Sequence, residues 1–165
     1  MQHFSTQSEE PDNSVSVTFE PAAVQPPLAS VVSCALFTAI DGRYLLAHHP
    51  AGWDVPSLVR RDDEDVEACV YRIAEAMGVD ITEPQFIGQW VLRKNFDSPL
   101  NEALPETSYQ ILFIADVTHE GEFKPSNELT ERQFIADSAL PSFHHNFDNF
   151  KDIFEYARER FNRVP

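Results

Sequence analysis

The stretch "DGRYLLAHHPAGWDVPSLVRRDDEDVEACVYRIAEAMGV", Asp41 to Val79, changes its pattern twice, and those changes decide the fold. It opens on Asp41-Gly42, a tight-turn dipeptide, and "YLLAHH" after it has the apolar character of a strand. "PAGWDVPS" carries two prolines and a glycine, so it is expected to be a loop. From Asp62 the period becomes helical. Val66, Val70, Ile73 and Met77 recur at i, i+4, i+7 and i+11, an apolar stripe for packing on a sheet. Asp62 to Asp65 suit the positive end of the helix dipole, and Gly78 stands where a C′ residue belongs.

Working outward, "SVVSCALFTAI" before the turn is β-branched and apolar and reads as the partner strand. "PQFIGQWVLRKN" and "SYQILFIADVTH" read as further strands joined by the polar loop "FDSPLNEALPET", and "ERQFIAD" as a shorter one. The chain closes on "NFDNFKDIFEYARERF", where Phe147, Phe150, Phe154, Ala157 and Phe161 form a helical stripe. Asn146 suits its N-cap, and Arg158, Arg160 and Arg163 suit its C-terminal end. Residues 1–29, with "SEEPDNS" and "EPAAVQPPLA", are rich in Pro, Ser and acid and are expected to be a flexible arm, with "VSVTF" a possible edge strand. Residues 30–165 form the expected domain. Strands with a central and a terminal helix indicate a layered α/β architecture.

A chain of 165 residues is long enough to bury a core without disulfide or metal staples, and 13 Phe supply large anchors. With 27 acidic against 12 basic residues the net charge is −15, and no Lys/Arg block exceeds a pair such as Arg60-Arg61. Counterion release from a phosphate backbone needs clustered cations, so long nucleic acid and acidic membrane surfaces are not expected partners. Cys34 and Cys69 are no disulfide framework. No apolar run approaches the roughly 20 residues of a bilayer span, and "MQHFSTQSEEPDNS" lacks the features of a signal peptide, so the cytoplasm is the expected location.

"DGRYLLAHHPAGWDVPS" followed by an acidic helix ending "AMGV" resembles the Nudix hydrolases. That family shows a DGR-LL hairpin, a W-D-(L/V)-P-G-G loop and the box G-x5-E-x7-R-E-U-x-E-E-x-G-U, with U aliphatic. The likeness runs from about Ser30 into the C-terminal helix and includes "SYQILFIADV" and "NELTERQF". It implies a Nudix-like α/β/α sandwich around a mixed β-sheet. Anchored on Gly78-Val79, the box's first Gly falls at Ser57 and its first Glu at Asp63. The R-E pair falls at Tyr71 and Arg72, and the E-E pair at Glu75 and Ala76. The loop before the helix is one residue shorter than in the usual version, and Ser57 and Leu58 carry side chains where the family has glycines.

The resemblance implies cleavage of a pyrophosphate linkage in a nucleoside diphosphate derivative, with Mg²⁺ or Mn²⁺ held by the glutamates of the R-E and E-E pairs. Hard divalent cations require oxygen ligands, and the metal must offset phosphate charge. Here the corresponding helix face carries Arg72, Glu75 and Ala76, so Glu75 is the one direct match and the one candidate catalytic residue. Arg72 puts a cation where the metal belongs, and at i, i+3 it is within reach of Glu75, a pair worth only about 0.2–0.5 kcal/mol if exposed.

A displaced metal site from Glu75, Asp63 or Glu64, and Glu128 is the alternative; otherwise the acidic cluster only caps the helix and no metal is used. His48, Trp53 and Arg72 are the candidate substrate-binding residues. His48-His49 and His144-His145 do not supply the ligands of a zinc site, and Trp90 reads as a core anchor or a stacking platform. The expectation is a Nudix-like protein with a degenerate box that binds a small nucleotide-like ligand with weak or no hydrolysis. The alternatives are an active metal-dependent pyrophosphohydrolase with a relocated site, and a non-catalytic partner-binding module, with a homodimer as one form and the arm as its candidate contact segment.

Overall fold

Asp41 and Gly42 both adopt positive φ, 51° and 74°, and so join two strands through a two-residue turn whose twist matches theirs. The strands are β3 (Val31–Ile40) and β4 (Arg43–His49), numbered after β1 (Phe4–Gln7) and β2 (Val15–Pro21). This computed structural model describes residues 4–7, 15–94, 107–144 and 147–163. Along the chain follow β5 (Gly52–Asp54), β6 (Ser57–Val59), helix α1 (Val66–Met77), β7 (Val79–Ile81), β8 (Gln85–Lys94), β9 (Thr107–Glu120) and β10 (Glu131–Ala136). Helices α2 (Leu140–Phe143) and α3 (Phe147–Arg163) close it.

The main sheet runs β1-β2-β8-β9-β3-β4-β10. Strands β3 and β9 are parallel, with Leu36 opposite Phe113, while the other pairs are antiparallel, so the sheet is mixed. Alternation along β3 divides the core between the two faces. Cys34 and Leu36 join Ile111, Phe113 and the α1 stripe of Val66, Val70, Ile73 and Met77. Ala35 and Phe37 join Leu112, Ile114, Trp90 and the α3 residues Ile153, Phe154 and Ala157. Helices thus cover both faces of the sheet, an α/β/α sandwich. Among the described residues no helix is long and apolar enough to cross a membrane.

Helix α1 begins where Asp65 accepts the Ala68 N–H at 2.7 Å and ends at Gly78, left-handed at φ 72°. One expectation is corrected. "PAGWDVPS" is not all loop: β5 pairs with β4 and β6 with β3, so the chain returns to the sheet on either side of Val55-Pro56. Within residues 1–29, "VSVTF" forms the edge strand that its alternation allowed. Strand β2 pairs with β8 from Val15 to Pro21, and the Phe19 ring is fully buried against Trp90, 5.1 Å between centroids. Burying an aromatic ring is worth enough to hold an otherwise polar strand on the sheet. The expected loop at 96–106, the N-cap at Asn146 and the side chain of Phe161 lie outside the described residues.

Candidate functional site

The approach to α1 is built around Arg60. Its guanidinium donates to the carbonyls of Val31 at 2.9 Å, Leu28 at 3.1 Å, Arg61 at 2.9 Å and Glu64 at 2.8 Å. One cation therefore satisfies four backbone carbonyls around this turn. Ser57 and Leu58 do not need positive φ, because they lie in β6 opposite Ala35 and Cys34. The chain thus reaches α1 through a short strand and the Arg60 guanidinium.

On the helix face above it, Arg72 does not pair with Glu75. Its Nε donates to Glu64 Oε2 at 2.8 Å and its Nη2 to Glu64 Oε1 at 2.9 Å, while Nη2 also donates to the Val59 carbonyl at 2.7 Å. Glu64 accepts the Arg61 N–H at 3.1 Å as well. Both charged side chains are largely shielded from solvent, 22% and 10% exposed. The Arg72 guanidinium holds the Glu64 carboxyl down to about 2, and Glu64 in turn raises the affinity of Arg72 for its proton. Glu128 also acts electrostatically on Arg72, so the later loop does approach this face.

Arg72, Glu75 and Ala76 line an open groove of about 600 Å³ with Arg61, Glu122 and Lys124. Glu75 and Asp63 are exposed, and Glu64 is committed to Arg72. Among the described residues no three of His, Cys, Asp and Glu are grouped so as to hold a metal ion. The donor chemistry agrees: Glu75 is the lone carboxylate on the face, and a fixed cation stands at i−3. These residues do not fit a divalent ion that takes several oxygen ligands.

His48 and Trp53 do not line this groove. His48 Nδ1 meets Thr130 Oγ1 at 3.1 Å, and its ring lies edge-on to Trp53, 5.3 Å between centroids. Trp53 packs in turn on Phe143 at 5.7 Å. Cys34 and Cys69 are fully buried, their thiols directed to the carbonyls of Val66 and Leu58. Hydrogen bonding to Cys69, then burial, pushes the Cys34 thiol well up, while hydrogen bonding to Cys34 lowers that of Cys69; with no exposed surface on either, the pair serves as packing.

Sequence reasoning missed a second cavity, on the α3 face of the sheet. It measures about 200 Å³ and is bounded by Val55, Trp90, Leu92 and Phe150, with Asp54 and Gln110 among its polar members. Asp54 is fixed by His144: the buried imidazole Nε2 lies 2.8 Å from Asp54 Oδ1, which also accepts the Val55 N–H at 2.7 Å. Asp54 stood within the "GWDVP" match, which marked it as part of a loop and gave no sign of a partner 90 residues on.

No protein-family model matches the sequence, and no curated protein matches it at a meaningful level. Solved structures do match. A Bacillus subtilis pyrophosphohydrolase, BsRppH, aligns over 84% of this chain and 91% of its own at 16% identity, with a TM-score of 0.56. The MutT protein of Methanosarcina mazei Go1 aligns over 81% and 96% at 20% identity, with a TM-score of 0.54. The Nudix domain of Shewanella oneidensis NrtR, complexed with ADP-ribose, aligns over 79% and 88% at 18% identity, with a TM-score of 0.52. The fold is therefore that of the Nudix hydrolases. At these identities the likeness establishes the fold, and chemistry has to be argued from the side chains.

Proposed function

We propose that this chain is a Nudix-fold protein that binds a small nucleotide-like ligand and has little or no metal-dependent pyrophosphate hydrolysis. The observation that carries the reading is the two-point Arg72–Glu64 pair, on the helix face from which a metal would be held. It neutralises one carboxylate and sets a fixed cation three residues from Glu75, the carboxylate on the helix face itself. A guanidinium so placed repels Mg²⁺ and attracts phosphate oxygens. The groove beside it carries Arg61 and Lys124 as further cations, and the α3-face cavity offers aromatic and polar walls of the kind a ligand needs.

The test is calorimetric titration with Mg²⁺ and Mn²⁺, run beside phosphate-release assays on nucleoside triphosphates, dinucleoside polyphosphates, nucleotide sugars and ADP-ribose. ADP-ribose leads the panel because it is the molecule bound to the Shewanella NrtR domain. The reading expects ligand binding without metal and without turnover. Metal-dependent turnover that disappears in Glu75→Gln would replace it with an active hydrolase using a relocated site.

A further inference from the structure

The two cysteines meet across the interface between the sheet and α1. Cys34 lies on β3 in register with Leu58 of β6, and its Sγ is 3.9 Å from the Val66 carbonyl on α1. Cys69, one helical turn after Val66, directs its Sγ back to the Leu58 carbonyl at 3.8 Å. In the reduced chain the pair packs. We propose that it is also an oxidation site, at which hydrogen peroxide joins Cys34 to Cys69 in an intramolecular disulfide between β3 and α1. This does not depend on what the groove binds.

Proximity is the first requirement, because a disulfide needs the two Cα atoms within about 7 Å. Here each thiol has crossed to the backbone of the opposite layer, so strand and helix are in close contact. The two thiols are also hydrogen-bonded to each other, which sets the sulfurs side by side.

The second requirement is one sulfur that ionises more readily than the other, since the thiolate is the nucleophile. Arg72 Nη2 donates to Cys69 Sγ at 3.8 Å. Hydrogen bonding with Cys34 lowers the Cys69 thiol, and Arg72 acts in the same direction, against burial and the Glu64 charge. Cys34 is pushed up by its hydrogen bond to Cys69 and by burial. Cys69 is therefore the attacking sulfur and Cys34 the resolving one.

Neither thiol has exposed surface, so access depends on what covers them. Arg72 touches Cys69 Sγ, is itself 22% exposed, and is kept in place by Glu64. A local opening of that pair admits a molecule little larger than water. The Cys69 thiolate attacks one peroxide oxygen and the O–O bond breaks. Cys69 becomes a sulfenic acid, and the displaced hydroxide leaves as water with the thiol proton. Cys34 Sγ then attacks the Cys69 sulfur, and its proton leaves with the second hydroxide as water. The thiols lose two electrons and two protons, and the peroxide is reduced to two waters. The new bond closes a long loop of chain, so the oxidised protein should resist denaturant better than the reduced one.

The experiment treats the reduced full chain with hydrogen peroxide, quenches and alkylates it in urea, and maps it by mass spectrometry without reductant. A peptide pair linked through Cys34 and Cys69 is expected, two hydrogen atoms lighter than the reduced pair, with a higher urea midpoint. In Cys34→Ser the reaction should stop at Cys69, captured by dimedone as a sulfenic adduct, while Cys69→Ser should leave Cys34 largely unreacted. Glu64→Gln loosens Arg72 and removes an anion beside Cys69, so it should speed disulfide formation several-fold. Phe19→Ala, on the other face of the sheet, controls for lost stability. Should either serine variant not fold, the wild-type map and the Glu64→Gln rate still decide.

Two thiols still alkylated after exhaustive peroxide treatment overturn the oxidation site, as does a disulfide formed only between chains. Cys34 reacting in Cys69→Ser as fast as Cys69 does in Cys34→Ser overturns the assignment of roles. Equal acceleration by Glu64→Gln and Phe19→Ala overturns Arg72 as the cover, and equal urea midpoints overturn the bond as a tie between the layers.

Discussion

Arg72 and Glu64 meet through two parallel hydrogen bonds, Nε to Oε2 at 2.8 Å and Nη2 to Oε1 at 2.9 Å, across eight residues of sequence. The planar fork of arginine matches a carboxylate in this geometry, and a lysine at 72 would make only a point contact. Because Nη2 also reaches the Val59 carbonyl, the pair ties α1 to the edge of β6.

Removing the carboxylate should therefore be felt as stability. Glu64→Gln is expected to cost about 1–3 kcal/mol at pH 7. The folded-state value of Glu64 is held at about 2, below the roughly 4.3 of an unfolded chain. A depressed carboxyl contributes fully above its unfolded value and loses that contribution as pH falls through the folded one. Urea unfolding of wild type and variant should show the gap at pH 7 shrinking by about half at pH 3. A gap that did not change with pH would show that Glu64 acts through packing alone.

The N-terminal strand offers a second test, because a dispensable arm and a docked strand predict opposite results. Phe19 is fully buried and touches Trp90 and Tyr156. Phe19→Ala should destabilise the protein by about 3–5 kcal/mol, the range for emptying a buried aromatic site. Denaturant unfolding within about 0.5 kcal/mol of wild type would mean that β2 contributes nothing to the core.

The β3-β4 hairpin and the body of α1 were legible because each is fixed by local chemistry: Asp41-Gly42 at the turn, Gly78 at the helix end, and an unbroken apolar stripe; the start at Val66, after the Asp65 cap, lies four residues beyond where the acidic run suggested it. What was not legible depends on distant partners. Ser57–Val59 is three residues beside a proline, and only its pairing with β3 makes it a strand. The same holds for β2, whose polar surroundings suggested an arm while its place is set by β8. Helical spacing pointed Arg72 to Glu75, yet the long arginine side chain reaches back to Glu64 ahead of the helix start. Asp54 and His144 come together only in the folded chain, so their pairing left no pattern in the sequence.

Gly78 carries two constraints at once. Its φ of 72° is costly for any residue with a Cβ, and a Cβ built there would lie 2.3 Å from the Glu122 carbonyl oxygen. That carbonyl belongs to the backbone, and the adjoining Gly121 N–H donates to the Gly78 carbonyl at 2.7 Å, so the contact cannot simply relax. Gly78→Ala should cost more than the ~1 kcal/mol of the backbone conformation alone, about 2–4 kcal/mol in all. Thermal unfolding should detect it as a drop of several degrees.

The charge pattern of α1 can be reversed, which tests the reading of the helix most directly. Arg72→Glu with Ala76→Glu sets carboxylates at 72, 75 and 76, positions that share one helix face. Wild type is expected to give no Mn²⁺ binding heat, and the double variant to give a saturable one. The variant also loses the partner of Glu64, so without metal it should be less stable by about 3 kcal/mol, the scale of breaking a shielded ion pair. Added Mn²⁺ should then recover part of that loss, because a ligand bound only by the folded state stabilises it. A folded double variant, by circular dichroism, that still gave no heat would place the obstacle in the β6 turn and its Arg60 anchor. Mn²⁺ binding by wild type as tight as by the variant would mean that Arg72 does not exclude the ion, and the proposed loss of metal chemistry would fall.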